Sequence, residues 1–370
     1  MIVLTQRRKG AKTLTFREGT AHLKRPPMQA DECRSLFIGV NLRASAVFLL
    51  LLCLLPFSAL ADFRNVSQQP EEPQDAIKIL ALNVMQNASE ARAARFQKIV
   101  DFLKTAPVHL LALQELSGGS FDTPATRDSG ADLAGMLAAA GLEYGYYTEA
   151  NWGYPPYLVF KVGILLRYSM IASSAGCTGT PGDGMVFPER KNVVMAAMII
   201  PGFGRVNLYS VHIYTPSAEG VETQIGNLMA FVEQTDGQYP PAASIVGGDM
   251  NFSIDSNPAA YQKFLDHGFT DSYAAANCPG APQNCCTPEQ TQGCTFRAPG
   301  NPLVGSGAAS RIDFLLVRGK GMQVKQSQVV FNGANGPFVS DHSGVLTEIA
   351  KPPLAGQAAA PAGFLLLGDK

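Results

Sequence analysis

The sequence predicts a mixed α/β domain in which packed β-sheets carry helices on their outer faces. Hydrophobic residues make up 46% of the 370 residues and charged residues only 16%, which supplies a large core. Segments with strand character outnumber segments with helical spacing, and many of them follow one another directly. This order favours packed mixed sheets over a purely parallel, doubly wound sheet.

Short apolar segments of strand length recur along the chain. They lie at residues 77–84, 109–116, 162–167, 192–200, 206–213, 244–248, 312–317, 324–331 and 344–349. Helical spacing occurs at residues 90–104, 131–140, 221–234 and 259–265. A Pro-Gly-Phe-Gly turn at residues 201–204 predicts a hairpin between two of the strands.

The first 61 residues differ from the rest and predict an export signal. A basic flank precedes ten apolar residues, 46–55, and small residues follow at Ala59 and Ala61. These are the three parts of a signal peptide, so we expect cleavage near Ala61 and a secreted or periplasmic protein. We also expect an over-extended start, with Met28 as the true one. The alternative is a membrane anchor, although a spanning helix needs ~20 apolar residues.

Three further segments follow from composition. Residues 62–75 are polar and proline-rich and predict a flexible lead-in, residues 76–350 form one domain, and residues 351–370 form a loose tail. Removing the leader takes away nine basic and three acidic residues, which leaves a net charge of about −7. An acidic surface disfavours a non-specific nucleic-acid binder, although a local basic groove could still exist.

Five cysteines remain in the exported chain, and four of them crowd into one loop at residues 278–294. In an oxidising compartment we expect one or two disulfides there and an odd thiol. The alternative is a zinc site, but the spacing does not resemble paired Cys-x-x-Cys motifs. The full set is Cys177, Cys278, Cys285, Cys286 and Cys294.

Polar and acidic side chains stand at the downstream ends of the apolar strands. Each motif alone is common in solvated turns, but together they place carboxylates and amides where strand ends converge on one cleft. Oxygen-rich sets of this kind suit Mg²⁺ or Mn²⁺. The residues are Asn83, Gln114-Glu115, His212, Gly248-Asp249-Met250-Asn251 and Ser340-Asp341-His342, with Arg311-Ile312-Asp313 opening a sixth strand.

In this order the motifs resemble those of the endonuclease/exonuclease/phosphatase superfamily, the DNase I-like enzymes, across residues 76–349. Gly-Asp-Met-Asn at 248–251 and Ser-Asp-His at 340–342 carry most of the resemblance. The segment 162–168 is similar to the usual G-x-x-x-x-S-R strand, with Leu166 in place of the serine. The resemblance implies a four-layered α/β sandwich of two mixed sheets flanked by helices.

The resemblance also implies a role for each residue. Metal binding would fall to Asn83, Glu115 and Asp341, and the catalytic residues would be His212, Asp249, Asn251, Asp313 and His342. His212 would hold the phosphate, Asp249 and Asn251 would orient the attacking water, and Asp313 would align His342. Whether Asp249 or His342 accepts the proton stays open. Arg190 would contact the substrate, unless it belongs to a solvated basic turn.

The resulting hypothesis is an exported hydrolase of phosphoester bonds that depends on Mg²⁺ or Mn²⁺, with phosphodiesterase and nuclease-like activity. The substrate could be a nucleic acid, a phospholipid headgroup as in sphingomyelinases, or a phosphorylated small molecule. A non-catalytic exported binding protein of the same fold is the alternative of another class. We expect a monomer that needs no obligate protein partner.

Overall fold

The structure describes most of the predicted domain, residues 76–350, and much of the segment 62–75 before it. The computed structural model describes residues 62–67, 70, 72–85, 92–117, 128–154, 158–179, 192–214 and 217–351, and only the backbone at 150–154 and 158–159. The predicted signal peptide and the tail after Lys351 lie outside these residues. No described helix is both long and apolar enough to cross a bilayer.

Two mixed β-sheets form the centre of the structure. The first has seven strands in the order β1 (Asp62–Arg64), β4 (Gly145–Tyr154), β5 (Leu158–Leu166), β3 (Leu110–Ser117), β2 (Ala76–Asn83), β13 (Gly344–Ala350) and β12 (Gln323–Val330). The second has six, in the order β10 (Thr270–Asp271), β11 (Asp313–Arg318), β9 (Ala243–Asp249), β8 (Gly204–His212), β7 (Val193–Ile200) and β6 (Met170–Gly176). Among the described strands, only β2 with β3 and β8 with β9 pair in parallel.

Helices cover the outer face of each sheet. Helices α1 (Arg92–Thr105) and α2 (Ser129–Ala139) pack on the first sheet, and α3 (Ala218–Gln238) and α4 (Pro258–Asp266) pack on the second. One apolar cluster fills the space between the sheets, and two others lie between a sheet and its helices. This arrangement confirms the predicted four-layered sandwich.

Local capping explains where three of these helices begin. The side chains of Asp128, Ser217 and Asn257 accept hydrogen bonds from the first backbone N–H groups of α2, α3 and α4. Pro258 occupies the first turn of α4, where its missing N–H costs no helical hydrogen bond. These caps satisfy donors that a helix end would otherwise leave unpaired.

The structure adds strands that apolar patterning did not reveal. β1 pairs with β4, so the predicted flexible lead-in is wrong for residues 62–64, which belong to the first sheet. β4 is rich in glycine and tyrosine, and β6 consists largely of small residues, so neither shows a clean alternation of apolar and polar positions. Strand β10 and helix α5 (Ser272–Asn277) are also additional.

The cysteine-rich loop follows α5 and contains two disulfides. They join Cys278 to Cys285 and Cys286 to Cys294. This pairing confirms the predicted disulfides and leaves no zinc-binding set in the loop. Cys177 takes part in neither disulfide.

Candidate active site

Strand register brings the polar strand ends together at one edge of the sandwich. His212 at the end of β8 is the register partner of Asp249 at the end of the parallel strand β9. Asp249 also faces Asp313, because β11 runs antiparallel to β9 and begins where β9 ends. In the first sheet, Asn83 is the partner of Gln114. The site therefore forms where strands of both sheets meet.

The two-residue period of a strand decides which side chains face the cleft. Leu208, Ser210 and His212 share one face of β8, since Leu208 belongs to the cluster between the sheets and Ser210 bonds to Gln114 of the opposite sheet. In β11, Asp313 shares its face with Leu315, which belongs to the same cluster. The site is thus the polar end of the inter-sheet core.

Two glycines before Asp249 allow the close approach of its neighbours. A Cβ on Gly247 would lie 3.0 Å from the Cβ of Ala112 in the opposite sheet. A Cβ on Gly248 would lie 2.0 Å from the carbonyl oxygen of Val211 in β8. Only glycine at 248 lets β8 and β9 keep the register that places His212 beside Asp249.

Asp249 is the central residue of the site and is 1% exposed. Its Oδ2 lies 3.6 Å from Nε2 of His212 and 3.7 Å from Nε2 of His342, and accepts a hydrogen bond of 3.1 Å from Nδ2 of Asn83. Its Oδ1 accepts the backbone N–H of Asn251 at 2.9 Å. The carboxylate is thus fixed at both oxygens between two imidazoles.

A β-bulge places the carboxylate of Glu115. The pairing of β3 with β5 shifts register between Leu113 and Leu116, and Glu115 has φ of 52°. Such a bulge re-aims a side chain that would otherwise point to the helix layer. Asn83 Nδ2 donates to Glu115 Oε1 at 3.0 Å, so one amide group contacts both Glu115 and Asp249.

Asp313 and His342 form a buried pair. His342 Nδ1 lies 2.9 Å from Asp313 Oδ2, which leaves Nε2 directed at Asp249. Burial lowers the pKa of His342, but the carboxylates of Asp313, Asp249 and Asp341 outweigh burial and raise the pKa to about 10. These carboxylates therefore favour the protonated imidazole, which would direct the N–H of Nε2 at the cleft.

Of the three remaining predicted site residues, the structure describes Asn251 and Asp341 but not Arg190. Asn251 lies two residues after the end of β9 with φ of 53°, and its Nδ2 donates to the carbonyl of Ile213 at 2.8 Å. Asp341 is partly exposed, adjoins His342, and accepts a hydrogen bond from Ser340 Oγ at 3.1 Å. Arg190 lies outside the described residues.

Sequence reasoning missed two residues that support the site. Arg95 on α1 is 2% exposed and bonds to backbone carbonyls of the loops after Asn83 and before Asp341. Thr295, directly after Cys294, accepts the backbone N–H of Asp313 at 3.0 Å on its hydroxyl oxygen. One feature of the sequence could have indicated Arg95. It is a charged residue on the same helical face as the apolar residues Phe96 and Ile99 of α1, which are buried.

Two groups of side chains have the composition of a cation site. Among the described residues, ligand atoms of Glu115, His212 and Asp249 all lie within 4.8 Å of one another, as do those of Asp249, Asp313 and His342. Carboxylate oxygens dominate the first group, which suits Mg²⁺ or Mn²⁺. The second group contains the hydrogen-bonded pair of Asp313 and His342. Asp341, predicted as a ligand, belongs to neither group.

Comparison with known proteins agrees with this geometry. The profile of the Endonuclease/Exonuclease/phosphatase family matches residues 79–342, which spans every described residue of the site. The chain belongs to this family. Membership supports a phosphoester hydrolase, and members commonly use divalent metals. Among curated protein sequences, none matches the chain closely enough to count as a relative.

Solved structures show the same fold at low sequence identity. A family protein from Leptotrichia buccalis superposes with a TM-score of 0.58 at 20% identity, over 74% of this chain and all of the other. One from Beutenbergia cavernae gives 0.55 at 17%, over 75% of this chain and 72% of the other. D. rerio TDP2, solved with single-strand DNA product, gives 0.53 at 17%, over 75% of this chain and all of the other.

Proposed function

We propose that this chain is an exported phosphodiesterase that depends on Mg²⁺ or Mn²⁺ and cleaves phosphodiesters of the nucleic-acid type. One observation carries the proposal. The buried carboxylate of Asp249 lies within 4 Å of Nε2 of both His212 and His342, and ligand atoms of Glu115 and His212 lie within 4.8 Å of it. A set of acceptors and imidazoles this close suits an anionic substrate together with a cation.

The residues present fit a divalent cation. Glu115 and Asp249 bring two carboxylates to one amide group of Asn83, and like charges at this distance favour a cation between or beside them. Glu115 would be the main ligand, with Asn83 and Asp341 at the border of the site. When bound, the cation would neutralise phosphoryl oxygens and so lower the repulsion that protects a phosphodiester from attack.

The chain's own groups would supply the remaining chemistry. The N–H groups of His212 and His342 would hold non-bridging phosphoryl oxygens, and these contacts strengthen as charge develops in the transition state. Asp249 lies between both imidazoles and is the acceptor best placed to orient the attacking water and take its proton. Asp313 fixes the ring of His342 so that Nε2 faces the cleft.

A structural neighbour and the loop before Asp313 favour nucleic acid as the substrate. TDP2, which shares the fold, was solved with single-strand DNA product. The interval between Asn251 and Asp313 holds helices and a disulfide loop in place of an aromatic hairpin that could enter a membrane. The acidic net charge opposes this choice, so a cationic groove would have to be local.

Export is proposed from the leader together with the loop. The leader has the three parts of a signal peptide, and the two disulfides suit an oxidising compartment. Sequencing the N-terminus of the exported protein tests this point. A mature chain that begins near Asp62 would support export with cleavage, and retention of the leader in the cytoplasm would contradict it.

A side-by-side assay tests the activity. Purified protein with Mg²⁺ is offered plasmid DNA, RNA, sphingomyelin vesicles and bis-p-nitrophenyl phosphate, and each reaction is repeated with EDTA. We expect EDTA-sensitive cleavage of nucleic acid and of the generic diester, and its loss in Asp249→Asn. Asp255→Asn, an exposed acid on the next loop, is the matched control and should keep full activity. Preference for sphingomyelin would overturn the substrate class, and full activity of Asp249→Asn would overturn the site.

A further inference from the structure

Arg95 is a buried cation that joins two loops of the site. Its Nη1 donates to the carbonyl oxygens of Val84 and Val339, both at 2.6 Å, and its Nη2 donates to the carbonyl of Met85 at 2.7 Å. The side chain is 2% exposed. Three backbone acceptors on two loops therefore depend on one guanidinium group.

One loop directly follows Asn83, whose amide contacts Glu115 and Asp249, and the other leads to Asp341 and His342. Val84 and Met85 directly follow Asn83, and Val339 stands two residues before Asp341. Met85 has φ of 53°, a conformation that costs a non-glycine residue free energy, and Arg95 holds its carbonyl in place. The guanidinium thus fixes the separation between the two loops.

A chain of hydrogen bonds leads from Arg95 to the carboxylates. Arg95 holds the carbonyl of Met85, and the N–H of Met85 donates to Oδ1 of Asn83 at 3.0 Å. That bond orients the amide so that its Nδ2 donates to Glu115 and Asp249. Movement of the Met85 loop would therefore turn the amide that contacts both carboxylates.

We propose that Arg95 is a positioning residue that couples these two loops and thereby sets the affinity of the site for a divalent cation. The inference rests on the proposed function only for the presence of that cation. Planar fork geometry is essential to it, because a lysine ammonium keeps the charge but cannot hold three carbonyls on two loops in fixed directions. Groups that orient metal ligands typically contribute 10-fold to 100-fold to metal affinity.

Arg318 provides a matched control at the other end of the sandwich. It also uses its guanidinium for three partners, which are Glu233, Asp236 and the carbonyl of His267. None of these partners belongs to the site. Arg318→Lys should therefore cost stability without changing the affinity for a cation.

The test measures Mn²⁺ binding to the purified protein by electron paramagnetic resonance, with no substrate present. For Arg95→Lys we expect a dissociation constant about 10-fold to 100-fold above that of the wild type. For Arg318→Lys we expect the wild-type constant, at a similar loss of melting temperature. Equal Mn²⁺ affinity in Arg95→Lys and wild type would reduce Arg95 to a structural residue and overturn the inference.

A second measurement does not depend on the variant folding. Hydrogen–deuterium exchange is followed on the wild-type protein with and without Mg²⁺. Because Arg95 ties the loops together, we expect Mg²⁺ to slow exchange at residues 84–85 and at residues 340–341 by similar factors. Slowing at one loop alone would contradict the coupling.

Failure of the inference and failure of the proposed function give different results. A wild type that binds Mn²⁺ but hydrolyses no phosphoester would contradict the proposed function, while the comparison of Arg95→Lys with wild type would still decide the role of Arg95. A wild type that binds neither Mn²⁺ nor Mg²⁺ would overturn the inference itself.

Discussion

Buried acidic networks occupy both ends of the second sheet, and they differ in how their oxygens are used. At one end, Asp236 of α3 accepts hydrogen bonds from Tyr209, Asn207, Ser244 and Arg318. The donors come from β8, β9 and β11, and the guanidinium of Arg318 offsets the charge of Asp236. Each carboxylate oxygen of Asp236 accepts two hydrogen bonds, as in a structural junction.

At the site end, carboxylate oxygens are crowded together and not all of them have hydrogen-bond donors. Glu115, Asp249, Asp313 and Asp341 bring four carboxylates together, and Oδ1 of Asp313 has no hydrogen-bond partner among the described residues. The imidazole of His342 is raised in pKa by three of these carboxylates. Crowded carboxylates destabilise a fold unless a cation or ligand offsets their charge. The Asp236 network is therefore structural, whereas the cluster around Asp249 has the character of a binding site.

The largest expected effect is on activity, at the site end. Glu115→Gln removes the carboxylate that the bulge aims into the cleft, so we expect kcat/KM for bis-p-nitrophenyl phosphate to fall about 10³-fold, or about 4 kcal/mol. The melting temperature should stay the same or rise, because one of several crowded negative charges is lost. Wild-type kcat/KM at saturating Mg²⁺ would show that Glu115 is no part of the site.

The next effect is on stability, at the other end. Asp236→Asn leaves Arg318 with one anionic partner, Glu233, and weakens the bonds to three neutral donors, so we expect a loss of about 3 kcal/mol in the free energy of unfolding. Urea titration measures the loss, and kcat/KM of the folded variant should match the wild type at 25 °C. If Asp236→Asn lost activity and Glu115→Gln lost stability, the comparison of the two ends would be reversed.

A smaller effect is expected from the residue that holds His342. Asp313→Asn keeps the shape but removes the charge next to Nδ1, so the pKa of His342 should fall, and kcat should drop about 10²-fold. Nuclear magnetic resonance titration of the imidazole without metal measures the pKa of His342, and steady-state kinetics measure kcat. An unchanged pKa would mean that Asp313 does not stabilise the imidazolium.

The smallest effect lies outside both ends. Nδ1 of His109 accepts the backbone N–H of Lys78 at 2.9 Å, and burial, together with Arg167 and Lys78, lowers the pKa of His109 to about 4. The unfolded chain binds this proton near pH 6.5 and the folded one near pH 4, so stability falls as pH drops between them. From pH 7 to pH 5 this group should cost about 2 kcal/mol.

His109→Asn tests this pH dependence, because its side-chain oxygen can accept the same N–H without titrating. Urea titrations at pH 7 and pH 5 should show a smaller acid loss in the variant than in the wild type. An equal loss in both proteins would assign the acid sensitivity to other groups.

Much of the site could be predicted because it obeys the two-residue period of strands. His212, Asp249 and Asp313 continue apolar inter-sheet faces of β8, β9 and β11, so their meeting follows from residue order and strand ends. The bulge at Glu115 could not be predicted, since it depends on the pairing of β3 with β5. The role of Arg95 could not be predicted for a similar reason. Its partners are backbone carbonyl groups, which every residue has, so the sequence does not identify them.

The fold shows the same division. Strands with continuous apolar runs, such as β7 and β9, were predicted within a few residues. β4 and β6 were missed because glycine, tyrosine and small residues leave no clear periodicity, and tertiary pairing makes them strands. The number of layers came from the resemblance of the motifs to a known family and not from periodicity.

Metal-dependent hydrolysis at this cluster is tested most directly by returning Mg²⁺ to protein that has been stripped with EDTA and following hydrolysis of bis-p-nitrophenyl phosphate. We expect no hydrolysis in EDTA and full recovery as Mg²⁺ or Mn²⁺ is added. We also expect that Asp249→Asn, folded to the same melting temperature within a few degrees, recovers nothing. Hydrolysis that persists in EDTA, or that Asp249→Asn recovers at the wild-type rate, would contradict metal-dependent chemistry at this cluster.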